Sequence, residues 1–257
     1  MRGVGAVLFA ACALLLLAAP PARAEDGYEL WLRYRPLAPS YATEAAVIAP
    51  ALAVDAPSSA TLDAATAELD RAFTVWAGRP LAPAGTGEPA LLLCRLDRPC
   101  AAALPARSLA DVAGAYRIDR LARGSVAISA RDDVGLLYGS FALLRHIQQQ
   151  APLAELPVAE APRVAIRMLD HWDNVDGSVE RGYAGRSIFQ WWRLPGYVDA
   201  RLTDYARANA SVGINAVAVN NVNAPAAFLT PRFILKAKAL ADILRPYGIR
   251  LYLSARA

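Results

Sequence analysis

The sequence predicts two unlike parts in succession: an α+β domain, a mixed sheet with helices on one face, and then the opening of a parallel (β/α)8 TIM barrel. Three observations carry this reading. Residues 25–155 run strand, strand, helix, strand, hairpin, helix, an order that suits helices laid on a mixed sheet. Residues 156–257 alternate short apolar runs with helical periodicity, and polar residues gather after each run. Between them, Asp170–Ser187 holds a density of polar, aromatic and glycine residues found nowhere else in the chain, as expected of a loop that a rigid strand aims at a ligand.

The bulk numbers leave room for this arrangement. The chain has 257 residues, 56% of them hydrophobic, enough for a sizeable core. Its 27 Lys+Arg against 23 Asp+Glu form no basic run, so nucleic acid is a poor fit, and a small anionic ligand is neither favoured nor excluded. Residues 1–24 read as a secretory signal peptide: Met1-Arg-Gly, an apolar run from Val4 to Ala19, Pro20-Pro21 and Ala22-Arg-Ala24. That run is too short to span a bilayer comfortably, so no membrane span is expected after cleavage. Loss of Arg2 and Arg23 lowers the net charge from +4 to +2. Cys12 lies inside the apolar run, which argues against a lipoprotein site.

Export bears on the other two cysteines. Cys94 and Cys100 flank the turn-prone Arg95–Pro99, and a local disulfide suits an oxidising compartment; buried free thiols remain the alternative. With only His146 and His171 elsewhere, no zinc site, other metal or cofactor is expected.

In order, Tyr28–Leu37 alternates apolar with charged residues and reads as a half-buried strand. Ala42–Pro57 holds a second short strand. Ser58-Ser59 are N-cap candidates for a helix carrying Leu62, Leu69, Phe73 and Trp76 at helical spacing and closed by Gly78 and Pro80. Ala90–Cys94 is a buried strand, and Tyr116–Leu121 and Ser125–Ala130 form a hairpin around Ala122-Arg-Gly124. Asp132-Asp133 favour a helix start, and Val134, Leu137, Phe141, Leu144 and Ile147 share one helix face, with His146 beside it as a structural residue. Ala151–Pro162, with three prolines, is the linker.

Val164–Leu169 then opens the second part as a strand. Tyr197–Asn209 reads as a helix and Ile214–Asn220 as a buried strand. Thr230-Pro231 start another helix, which Gly248 stops, and Ile249–Ser254 is a third strand. A barrel needs eight strands and about 250 residues, so about three βα units make an incomplete one. Its last strand would be an apolar edge.

The loop and its surroundings resemble a known family. Trp172–Phe189 is similar to the signature loop of glycoside hydrolase family 67, the α-glucuronidases of xylan breakdown. Glu29–Tyr34, Gly135–Arg145, Ile214–Ala224 and Ile249–Ser254 resemble further segments of that family, in the same order. The resemblance implies an exported, periplasmic enzyme that takes xylo-oligosaccharides (aldouronic acids) as substrate and removes α-1,2-linked (4-O-methyl)-D-glucuronic acid with inversion. It also implies that the catalytic acid and base lie on later strands, beyond Ala257, and that the whole protein dimerises through a C-terminal region. Trp172 matches a tryptophan that walls the sugar, and Val222 a second pocket-wall position. Asp173, Asn174, Asp176 and Glu180 are not assigned to catalysis; they are expected to cap turns and pair with Arg181 or Arg186. Trp191-Trp192 fit either a cleft rim or an interface. Without its proton-transfer groups such a chain should be inactive alone. The competing expectation is a non-catalytic carbohydrate-binding or accessory module. A periplasmic binding protein would need a second lobe that the sequence does not supply.

Overall fold

The computed structural model describes residues 25–46, 51–85 and 90–254; the expected signal peptide, residues 1–24, lies outside them. The chain divides into a short unit ending at Trp31 and a unit beginning at Leu32. In the first, the Asp26 carboxylate accepts from the Tyr28 backbone N–H, and the chain turns at Leu30, whose N–H reaches the Gly27 carbonyl.

The strand expected over Tyr28–Leu37 is absent. Leu30–Arg33 is a 3-10 turn, and Tyr34 beyond it has φ +39°, a conformation no strand continues through. Alternation of Leu32 with Tyr34 is equally satisfied by a turn that buries both, and both are buried. Next comes helix α1 (Pro39–Ala46), where only loop and strand were expected, and then strand β1 (Ala51–Asp55).

Helix α2 (Ala60–Ala77) starts where the capping residue dictates: the Ser59 hydroxyl accepts from the Leu62 N–H, and Gly78 ends it in the left-handed region at φ +70°. After β2 (Ala82–Pro83) come β3 (Leu91–Arg95) and the hairpin of β4 (Tyr116–Arg120) and β5 (Val126–Ala130). Helix α3 (Asp133–Gln148) is capped by Asp132, whose side chain accepts from the Gly135 N–H. Strand β6 (Val158–Glu160) pairs antiparallel with β4, so part of the segment read as a linker belongs to the first sheet. That sheet is mixed, in the order β2-β1-β3-β5-β4-β6. Helix α3 packs on β3, β4 and β5, and α2 packs against α3. A Cβ at Gly139 would stand 2.5 Å from Ile128 Cγ2, so a glycine is what lets α3 approach the sheet this closely.

The second sheet is small and parallel: β7 (Met168–Asp170), β8 (Ala216–Ala218) and β9 (Arg250–Tyr252), in that order. Parallel neighbours need crossovers, and helices α4 (Ala200–Ser211) and α5 (Pro231–Leu244) supply them. Beneath lies a cluster of Phe189, Trp191, Leu202, Val217, Phe228 and Leu240, all at or near full burial. Trp191 is therefore core, whereas Trp192 is 59% exposed. Lys236 on α5 is buried and donates to the Trp191 and Leu194 carbonyls, so its ammonium is satisfied by the backbone of that turn. Among the described residues β7 and β9 each have one unpaired edge, and Val164, Ile166, Met168 and Tyr252 are exposed beside them.

Both sheets belong to the unit that begins at Leu32. Glu68 on α2 and Arg207 on α4 are both buried and meet through two hydrogen bonds of 2.7 Å. The Tyr34 hydroxyl donates to Glu68 as well, and Arg207 also donates to the Leu32 carbonyl at 2.9 Å. Burial alone would depress the Arg207 guanidinium; its bonds and charge pairing to Glu68 more than offset this and hold it above its ordinary value.

Candidate functional site

The C-terminal ends of β7, β8 and β9 are tied together by residues just past each strand, through the Asn220 side chain and through backbone bonds. The Asn220 amide, fully buried, spans β8 to β9: its Nδ2 donates to the Ser254 carbonyl and its Oδ1 accepts from the Ser254 N–H at 2.8 Å. The Asn221 N–H donates to the Asp173 carbonyl at 2.9 Å, which joins the β8 loop to the β7 loop. His171, directly after β7, donates its N–H to the Ala218 carbonyl. These bonds make one floor from three strand ends, the place where parallel α/β sheets carry ligands.

Above this floor the loop of residues 171–188 folds on itself. Asn174 donates to the Ser178 hydroxyl at 3.1 Å and to the Glu180 carbonyl at 2.7 Å. Asp176 accepts from both the N–H and the hydroxyl of Ser178; these bonds hold its carboxyl below the usual range, with a smaller contribution from Arg186. Asp176 thus caps a turn, with Arg186 acting on it only at longer range, whereas Asp173 meets Ser187 and His171 and the Glu180 carboxylate meets Tyr183. Gly177 is favoured by its φ of +81°, and a Cβ there would push the exposed Trp192 ring, 2.4 Å away, aside.

His171 and Asp173 form the polar centre of this wall. His171 Nε2 lies 2.6 Å from the Tyr205 hydroxyl on α4, and Nδ1 faces Asp173 Oδ2 at 3.8 Å. The ring is edge-on to both Phe189 and Tyr205. Burial lowers the His171 pKa below 6.5, against an opposing pull from Asp173 and Asp170. A neutral ring with its proton on Nδ1 lets Nε2 accept from Tyr205. Burial likewise raises the Asp173 carboxyl above 3.8, partly countered by a hydrogen bond from Ser187 and by His171.

The result is a shallow cavity of about 450 Å³, lined on its polar side by Asp170, Asp173, Glu180 and Arg186 and on its apolar side by Trp172, Tyr183 and Ile188. Trp172 is 37% exposed, and its indole N–H donates to Asp170 at 3.3 Å. Val222 does not line this cavity; it is exposed in the turn after β8, next to the Asn221 that bonds Asp173. The two sequence-assigned wall residues therefore stand on adjoining loops. The His171–Tyr205 contact escaped sequence reasoning because its partners are 34 positions apart and Tyr205 reads as an ordinary helix residue. Away from the cavity, Cys94 and Cys100 are joined by a disulfide, with Cα atoms 6.0 Å apart. Among the described residues no three His, Cys, Asp or Glu side chains are grouped to hold a metal ion.

Comparison with known proteins covers nearly all of this structure. Residues 30–143 match the glycosyl hydrolase family 67 N-terminus, and residues 146–257 match the family 67 middle domain. The α-glucuronidase A of Emericella nidulans is 35% identical over 244 residues, covering 90% of this chain and 28% of the relative. A probable α-glucuronidase A of Aspergillus terreus is 34% identical over 237 residues, covering 89% of this chain and 28% of that protein. The chain thus spans under a third of the length of these curated relatives. Among solved structures, a family GH115 4-O-methyl-α-glucuronidase with specificity for decorated arabinogalactans superposes with a TM-score of 0.58 at 14% identity, covering 80% of this chain and 28% of its own. A GH138 enzyme targeting pectin rhamnogalacturonan II gives 0.54, also at 14% identity, covering 79% of this chain and 24% of its own. At that identity the likeness is one of fold.

Proposed function

The chain belongs to glycosyl hydrolase family 67, and from that premise we propose that it is the N-terminal part of an exported α-glucuronidase, which hydrolyses α-1,2-linked (4-O-methyl)-D-glucuronic acid from xylo-oligosaccharides. The observation that carries this reading is the cavity at the strand ends, where a tryptophan face stands beside hydrogen-bonding acids, the pairing a sugar ring requires.

In this reading β7, β8 and β9 are the first three strands of a (β/α)8 barrel. The exposed apolar residues along β7 and β9 support it, since they are what further strands and helices would cover. Trp172 and Val222 wall the sugar. Inverting hydrolysis needs a carboxylic acid on the leaving oxygen and a carboxylate on the attacking water, about 6.5–9.5 Å apart. We place that pair on later strands. Asp173 is occupied by Ser187 and His171, and Asp170 by the Trp172 indole, so each already has a structural partner. The enzyme is periplasmic, delivered there by residues 1–24.

Release of free uronic acid from aldouronic acids is the test, with this chain assayed alone and within a polypeptide carrying the remaining barrel strands. The longer protein should turn over, and its Trp172→Ala variant should lose about tenfold or more in kcat/KM. This chain alone should release nothing. Turnover by it would move the acid and base into the present residues; no turnover by the longer protein would end the α-glucuronidase reading.

A further inference from the structure

The loop of residues 171–188 has both its ends against one side chain of α4. At its start, His171 Nε2 lies 2.6 Å from the Tyr205 hydroxyl, and the two rings meet edge-on at 5.6 Å. Just past its end, Phe189 meets the same Tyr205 ring edge-on at 5.7 Å, and His171 meets Phe189 at 5.1 Å. Burial pushes the Tyr205 hydroxyl above its ordinary value, so it keeps the proton it donates. Three mutually edge-on rings and one hydrogen bond thus close the loop at its base. Trp172 and Asp173 follow His171 directly, so the placement of that base sets where the cavity wall begins.

The opposite face of the same helix is held from the mixed-sheet part of the chain. At 3.6 residues per turn, positions 205 and 207 stand about 200° apart around α4. Arg207 grips Glu68 of α2 and the Leu32 carbonyl, and its guanidinium lies 5.8 Å from the centre of the Tyr34 ring. One turn further on, the Ser211 carbonyl at the end of α4 accepts from Arg145 of α3. Helices α2 and α3 pack on each other, and α3 packs on the mixed sheet, so both anchors belong to that layer. A stiff helix fixed on one face and fastened to a loop on the other carries a displacement from the first to the second.

We propose that Tyr205 is a positioning residue, a clasp on both ends of the loop that carries Trp172, and that Glu68 and Arg207 set its place, so that the mixed-sheet part of the chain shapes the cavity wall. What that wall does for a sugar rests on the α-glucuronidase reading; the clasp rests on the contacts alone.

The test begins with NMR on the purified chain at one fixed pH. His171 and His146 are its two histidines, and His171→Gln assigns their ring signals. Glu68→Asp keeps the charge beside Arg207 but shortens its reach. It should shift the His171 signals, and the shift should shrink once Tyr205→Phe is added. Tyr205→Phe loses one hydroxyl and keeps the ring, so it serves even where Glu68→Asp does not fold, as far-UV circular dichroism would show. By itself it should shift the Trp172 indole N–H resonance, assigned with Trp172→Phe. In the longer protein carrying the remaining barrel strands, Tyr205→Phe should raise KM for aldouronic acids about fivefold with kcat little changed, the pattern of lost uniform binding. A variant that merely unfolds more readily would instead lower the apparent kcat at unchanged KM, because its folded fraction is normal. His171 signals that ignore Glu68→Asp, a shift of equal size with and without the Tyr205 hydroxyl, an unmoved Trp172 indole or an unchanged KM would each overturn the clasp and leave the α-glucuronidase reading standing. If the longer wild-type protein never releases uronic acid, that reading falls, and the histidine and indole shifts still decide the clasp.

Discussion

Arg207 grips Glu68 through both carboxylate oxygens, and the two residues lie 139 positions apart in the sequence, one on α4 behind the small parallel sheet and one on α2 of the mixed sheet. Both are buried. A buried pair of this kind is weak evidence of net stabilisation, yet breaking it strands a charge. Glu68→Ala should therefore destabilise the chain by about 3–5 kcal/mol, read from the midpoint of urea unfolding. Glu68→Leu combined with Arg207→Met should recover most of that loss. A cost below about 1 kcal/mol for the single change would mean that water reaches the pair.

The Gly177 position tests the bracing of the loop. Alanine there must adopt φ +81° and place its Cβ 2.4 Å from the Trp192 ring. Trp192 is largely exposed and can swing aside, so the backbone sets the penalty. We expect Gly177→Ala to cost about 1–2 kcal/mol, with a change in tryptophan fluorescence as that ring moves.

Acid should loosen the cavity wall through His171. Its folded pKa lies below 6.5, so the unfolded chain takes up a proton first, and stability falls as pH drops from 6.5 through the folded value. Asp173 acts in the opposite sense, because its raised pKa removes stability as pH climbs above 3.8. Thermal midpoints measured across this range for the wild type and for His171→Gln separate the two. The variant should lose the histidine's share of the slope below pH 6.5, and an unchanged slope would place the acid sensitivity elsewhere.

The Cys94–Cys100 bond closes a loop of six-residue separation, a short constraint on the unfolded chain. Chain-entropy reasoning gives it about 2 kcal/mol. Dithiothreitol should lower the unfolding midpoint accordingly, and Cys94→Ser/Cys100→Ser should match the reduced protein and no longer respond to reductant.

Local chemistry made much of this architecture readable in advance. Ser59 and Gly78 bracket α2 because a cap needs a short oxygen-bearing side chain and a left-handed stop needs a glycine, and both leave marks in sequence. Asp132 does the same at the start of α3, and α5 opens on Pro231, whose missing N–H costs nothing at that position. Where several backbones satisfy one pattern, the reading failed. Leu32 and Tyr34 alternate like a strand yet are buried from a 3-10 turn, and β6 hides in a proline-rich segment because β4 offers it an open edge. In the site, Trp172 stood out by type and position. Tyr183 was visible only as one letter in a loop, since its exposure follows from how Glu180, Gly182 and Gly185 bend the chain. His171 needs Tyr205, which only packing brings within reach.

The open sides of β7 and β9 carry a practical corollary. Among the described residues no strand pairs with the outer edge of either, exposed apolar side chains flank both, and one copy's β9 laid on another's β7 would build a head-to-tail series. Light scattering on a dilution series should show particle size growing with concentration, and a lysine introduced at Met168 or Tyr252 should restrain that growth.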